Sequence, residues 1–147
     1  MITVIDNNRN VQSRNNAQNE YVIAFPPRSS MGLELEPVII STNPPRQIGC
    51  RVKDYYFGTD FLEGAYVPNG NGETLWTKDY LMRTVKVGDV ICKVEDERVV
   101  SKSFVEILSL LRELRNSDRP RFISFRNISS HGKKELSQHL SYKPALF

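Results

Sequence analysis

Apolar residues in this chain fall into short runs parted by polar turn residues, and one segment alone has helical spacing. Tyr21-Val22-Ile23-Ala24-Phe25 is a β-rich run stopped by Pro26-Pro27. Residues 33–42 read as a second extended stretch, with Asn43-Pro44-Pro45 as its turn. Residues 48–55 set Ile48, Cys50, Val52 and Asp54 against Gly49, Arg51, Lys53 and Tyr55, the alternation of a strand with one polar face. Val87-Gly88-Asp89 is a turn leading into a buried strand over 90–94, and residues 121–126 form the last strand. Phe104, Ile107, Leu108, Leu110, Leu111 and Leu114 recur at helical spacing, with Glu106, Ser109, Arg112 and Glu113 on the wet side. Ser103 and Glu106 form an S-x-x-E capping box at its start, and Asp118-Arg119-Pro120 closes the element.

Between the third and fourth of these strands lies a segment of different character, residues 56–79. It holds Phe57, Phe61, Tyr66 and Trp76 around Pro68-Asn69-Gly70-Asn71-Gly72, and the Asn-Gly pair predicts a hairpin with flanks near 64–67 and 73–76. A short helical turn follows at Asp79-Tyr80-Leu81-Met82-Arg83. Residues 1–19 carry six Asn and two Gln and read as a flexible leader, and residues 129–147 as a flexible polar tail. That leaves one domain over 20–128.

The net charge of +3 changes little once it is located. The leader has Arg9 and Arg14 against Asp6, and the tail has Lys133, Lys134 and Lys143 against Glu135, so the excess lies outside the domain. A body with 15 positive and 15 negative groups does not point to nucleic acid. No apolar run approaches a membrane span, and no secretory signal opens the chain, so a cytoplasmic setting is expected. Cys50 and Cys92 lie 42 residues apart without CxxC spacing and read as core hydrophobes. His131 and His139 stand in the tail, far from any nucleophile, and Asp54, Asp60 and Glu63 have no His or Cys at ligand spacing. Neither enzyme activity nor a metal or cofactor is expected.

The candidate chemistry sits in Arg28-Ser29-Ser30-Met31-Gly32-Leu33-Glu34-Leu35: a cation, small polar residues, then backbone amides entering a strand. Oriented N–H groups with a nearby Arg suit a carboxylate. The helix beginning at Phe104 offers an apolar wall to go with it.

The order of these parts resembles that of a PDZ domain. The resemblance rests on a basic residue ahead of a Gly-Φ-x-Φ loop (Gly32-Leu33-Glu34-Leu35), the Val87-Gly88-Asp89 turn, the capped helix and the final strand, and covers 20–128 apart from the insertion. It implies an α+β, mainly β fold: a partly open β-barrel or sandwich of five or six strands capped by two helices. It also implies an adaptor, scaffold or signalling role, in which a partner's C-terminal carboxylate is held by the loop and its last residues add as a strand between the second strand and the helix. Carried over, the amides of Leu33, Glu34 and Leu35 hold the carboxylate near Arg28, Leu33 and Leu35 line the pocket for the last side chain, and Phe104, Leu108 and Leu111 complete the wall. Phe104 at the helix start favours a ligand ending Φ-x-Φ.

Two departures bear on this expectation. Glu34 stands where the family has a second glycine, and Pro37, two residues past Leu35, removes an N–H from the edge the ligand would meet. The chain's own end, Ala145-Leu146-Phe147, also reads Φ-x-Φ, so self-association through it, or docking in its own groove, is a further expectation. The alternative function is an unused or self-occupied groove, with assembly through the aromatic insertion.

Overall fold

The computed structural model describes residues 19–127 and 145–147. Expectations for the leader and for His131 and His139 lie outside the described residues. The fold is mainly β with two helices, and its strands pair antiparallel.

Strand β1 (Glu20–Phe25) ends at the proline pair and turns its last three residues into the core. The expected long second stretch is two strands, β2 (Leu33–Glu36) and β3 (Ile39–Thr42), because Pro37 interrupts it. β3 returns as β4 (Pro45–Ile48) in a separate hairpin, and Gly49, with φ of 78°, turns the chain into β5 (Arg51–Tyr55). The insertion forms hairpin β6 (Tyr66–Asn69) and β7 (Gly72–Leu75), about two residues later on its first arm than the sequence suggests. Helix α1 (Lys78–Thr84) is capped by the Thr77 side chain, which accepts from the Tyr80 amide. Then come β8 (Val90–Val94), β9 (Glu97–Arg98), α2 (Phe104–Leu114), β10 (Arg121–Arg126) and β11 (Ala145–Leu146). The Ser103–Glu106 capping box is formed reciprocally.

The main sheet runs β1-β10-β8-β5-β2-β11, with β9 beside β8. Its core joins Ile23, Phe25, Leu33, Leu35, Val52, Ile91, Ile123 and Phe125 to Phe104, Ile107, Leu108 and Leu111 of α2. Burying such side chains contributes roughly 1.5–3 kcal/mol each. Arg51 and Glu36, facing residues on β5 and β2, pair at 2.8 Å while both are buried, tying the two strands together. Asp89 has the turn role expected of it: it accepts from the Lys86 amide and the Tyr21 hydroxyl.

The insertion's aromatics are largely core. Trp76 is fully buried, 5.2 Å edge-on to Phe25 and 5.6 Å from Phe61, and Tyr80 of α1 extends the stack. Tyr66 and Leu75, facing each other across the hairpin, stay exposed.

Candidate functional site

The edge of β2 is occupied by the chain's own end. β11 lies antiparallel to it with Ala145 opposite Leu35 and Leu146 opposite Glu34. The Leu33 amide donates to the Phe147 carbonyl oxygen and the Phe147 amide donates to the Leu33 oxygen, both at 2.6 Å. Side chains alternate as the pleat requires: Ala145 and Phe147 pack against the core, whereas Leu146 is 52% exposed. The tail expected to be flexible therefore ends in an ordered strand.

The α2 wall is built as its spacing predicts. Phe104, Leu108 and Leu111 form one buried stripe, with Leu33 and Leu35 fully buried opposite. Arg112, which the sequence pattern puts on the wet side, is one helical turn beyond Leu108, and its guanidinium lies 5.3 Å from the Phe147 ring centroid. Ala145 packs against the core to which Phe104 contributes.

The amides fall in a different register from the expected one. Leu33 directs both backbone polar groups toward the chain end, so strand alternation sends those of Glu34 to the opposite edge, toward β5, and returns those of Leu35 to Ala145. Glu34 and Leu35 are thus ladder residues, and Glu34 places its carboxylate 3.6 Å from Lys53. The free donors lie one step earlier. Met31 and Gly32 are buried, and neither amide has a partner among the described residues. Gly32 takes φ of 78°, and a Cβ there would stand 2.8 Å from the Phe61 ring.

Arg28 is exposed and donates to Asp118 at 2.7 Å, with no hydrogen bond to Phe147. The loop is held from two other directions. On the insertion side, the Ser30 amide donates to the Asp60 carbonyl and the Leu62 amide donates to Ser29 Oγ. Asp60 is itself fixed by an ion pair with Arg115. From beneath, buried Arg121 donates to the carbonyls of Pro26 at 2.7 Å and Ser29 at 2.5 Å. Burial holds its guanidinium below the usual Arg value, to about 10, with Arg115 adding like charge. Sequence reasoning missed Arg121, Arg112 and Asp60. The alternation of β10 contains the signal for the first: Arg121 is in phase with Ile123 and Phe125, the inward positions.

Among the described residues, no group of three or more His, Cys, Asp or Glu is placed to hold a metal, and no helix is long and apolar enough to cross a membrane. Burial pushes the Cys50 thiol far up and the Cys92 thiol to about 11, so neither is poised as a nucleophile. No protein-family model, curated protein or solved structure matches this chain.

Proposed function

We propose that this chain is a PDZ-like module that binds an apolar protein C-terminus by strand addition along β2, and that its own residues 145–147 occupy that groove when no partner is present. One observation carries the reading: β2 accepts an antiparallel strand ending in Phe147, with alternate side chains turned inward in a Φ-x-Φ pattern. Main-chain bonds of this kind give affinity without sequence preference, and the pocket walled by Leu108 and Leu111 gives selectivity.

On this reading the carboxylate cradle is the run of amides at Met31, Gly32 and Leu33, two residues earlier than the motif register first assigned. Two donors on buried residues without a partner among the described residues, next to a third that already meets the chain end, suit an anionic oxygen. Pro37 fits a short grip, since β2 stops at Glu36. The role is that of an adaptor or scaffold in a cytoplasmic setting, with no catalytic step. Assembly through the aromatic insertion is the second reading: Phe61 and Trp76 are committed to the core, and the large apolar residues it leaves exposed are Tyr56, Leu62, Tyr66 and Leu75.

The test is a titration with peptides ending Φ-x-Φ as free acids and as C-terminal amides. The acid binds and the amide fails. Equal binding of both, or of neither, refutes the proposal.

A further inference from the structure

Arg121 is 4% exposed, yet no carboxylate pairs with it among the described residues. It donates to two main-chain carbonyls of the 26–29 loop, and its Nε is buried with no partner among the described residues. It lines a small dry void with Met31 and Leu111, one residue from the loop and one from the groove wall. A buried, unpaired charge is costly, and proteins keep one when an opposite charge arrives from elsewhere. The nearby charge it senses is a second cation, Arg115, whose own acid Asp60 belongs to the loop's other flank. Arg28, by contrast, is exposed and already paired with Asp118.

We propose that Arg121, and not Arg28, is the counter-charge and positioning residue of the carboxylate site. By drawing the Ser29 carbonyl inward it turns the Ser30 amide of the same peptide unit away from itself, and its bond to the Pro26 carbonyl anchors the start of the loop. The Ser30 amide accordingly points to Asp60, and the next two amides are left for the ligand. Its charge, screened from water, raises the positive potential where the ligand's carboxylate settles. This inference rests on the proposed function and extends it to the origin of acid selectivity.

The experiment measures affinities of one Φ-x-Φ peptide as acid and as amide, by competition, for the full chain and its variants. The occupying tail lowers both apparent affinities by the same factor, so their ratio isolates recognition of the carboxylate. Arg121→Met, which keeps the buried stem, is expected to lower the acid-to-amide ratio about tenfold, Arg121→Lys to keep it within about threefold, and Arg28→Ala within about twofold. A ratio unchanged in Arg121→Met, or one that collapses in Arg28→Ala, overturns the proposal. A purely structural role for Arg121 weakens both peptides equally and also overturns it. If Arg121→Met does not fold, the natural chain decides through salt. A preference that survives about 0.5 M salt supports a buried counter-charge, and one that vanishes assigns it to an exposed residue. Failure of the parent reading looks different: the natural chain then shows no preference for the acid at all.

Discussion

Deleting residues 145–147 should sharpen the binding of an external peptide, and the structure bounds by how much. Antiparallel pairing of Phe147 with Leu33 and of Ala145 with Leu35 gives four ladder bonds, worth about 1 kcal/mol each, with about 1 more where an acceptor carries charge. Partial burial of Phe147 and Ala145 contributes about 2 kcal/mol, and Arg112 over the Phe147 ring about 1. Against this total of about 8 kcal/mol, ordering three residues costs about 4.5, and closing the 17-residue segment between Asn127 and Ala145 about 2.5. The balance favours the docked tail by about 1 kcal/mol, so a chain ending at residue 144 should bind a labelled Φ-x-Φ peptide about fivefold more tightly. Fluorescence anisotropy titrations of the two chains read this directly. Phe147→Ala should move in the same direction by a smaller factor, and Leu146→Ser, on the exposed side, should not move. Docking within one chain also predicts that the gain is independent of protein concentration. A gain that disappears on dilution would mean that the tail docks into a neighbouring molecule. An unchanged or weaker affinity after deletion would refute the argument that the groove and the tail's site are one.

Three further expectations follow from the same contacts. Gly32→Ala should destabilise the fold by about 1–3 kcal/mol and abolish acid-peptide binding, because the positive φ and the 2.8 Å approach to Phe61 leave no room for a methyl group; unchanged melting and binding would show that the loop is not held this way. On the proposed reading Phe104→Ala opens the α2 wall and should move preference at the third residue from the ligand end toward larger side chains such as Leu or Ile in a peptide array, and an unaltered preference would place the helix start outside the site. Burial, and then the hydrogen bond to Asp89, raises the Tyr21 phenol well above its ordinary value near 10, so its stabilising effect is complete below that pH and is lost as pH rises above it. Thermal melts should hold through about pH 9 and fall beyond about pH 10, with a shallower alkaline fall in Tyr21→Phe.

What the sequence made legible follows from how local each signal is. The α2 helix was readable to within a residue because its cap and apolar stripe are defined by neighbours in the chain. β10 was readable in extent but not in consequence: its alternation puts Arg121 inward, yet the carbonyls it donates to belong to residues 26 and 29, more than ninety positions away. Which amides of the loop face the open edge of β2 was not legible for a related reason. Gly-Φ-x-Φ marks where a turn becomes a strand, but only the partner on the edge decides which amides point outward, and that partner is residue 147. The insertion was ambiguous because aromatic residues look alike in sequence whether they cover a core or a partner. Its function in the fold emerges from two contacts no local pattern contains, the Ser30 amide on the Asp60 carbonyl and the Phe61 ring against Gly32. Those contacts connect the inserted segment to the 30–32 loop. The insertion therefore buttresses the 28–33 loop from one side as Arg121 does from beneath, and on the proposed function a change that loosens the Phe61–Trp76 stack should weaken carboxylate binding without touching any residue of the groove.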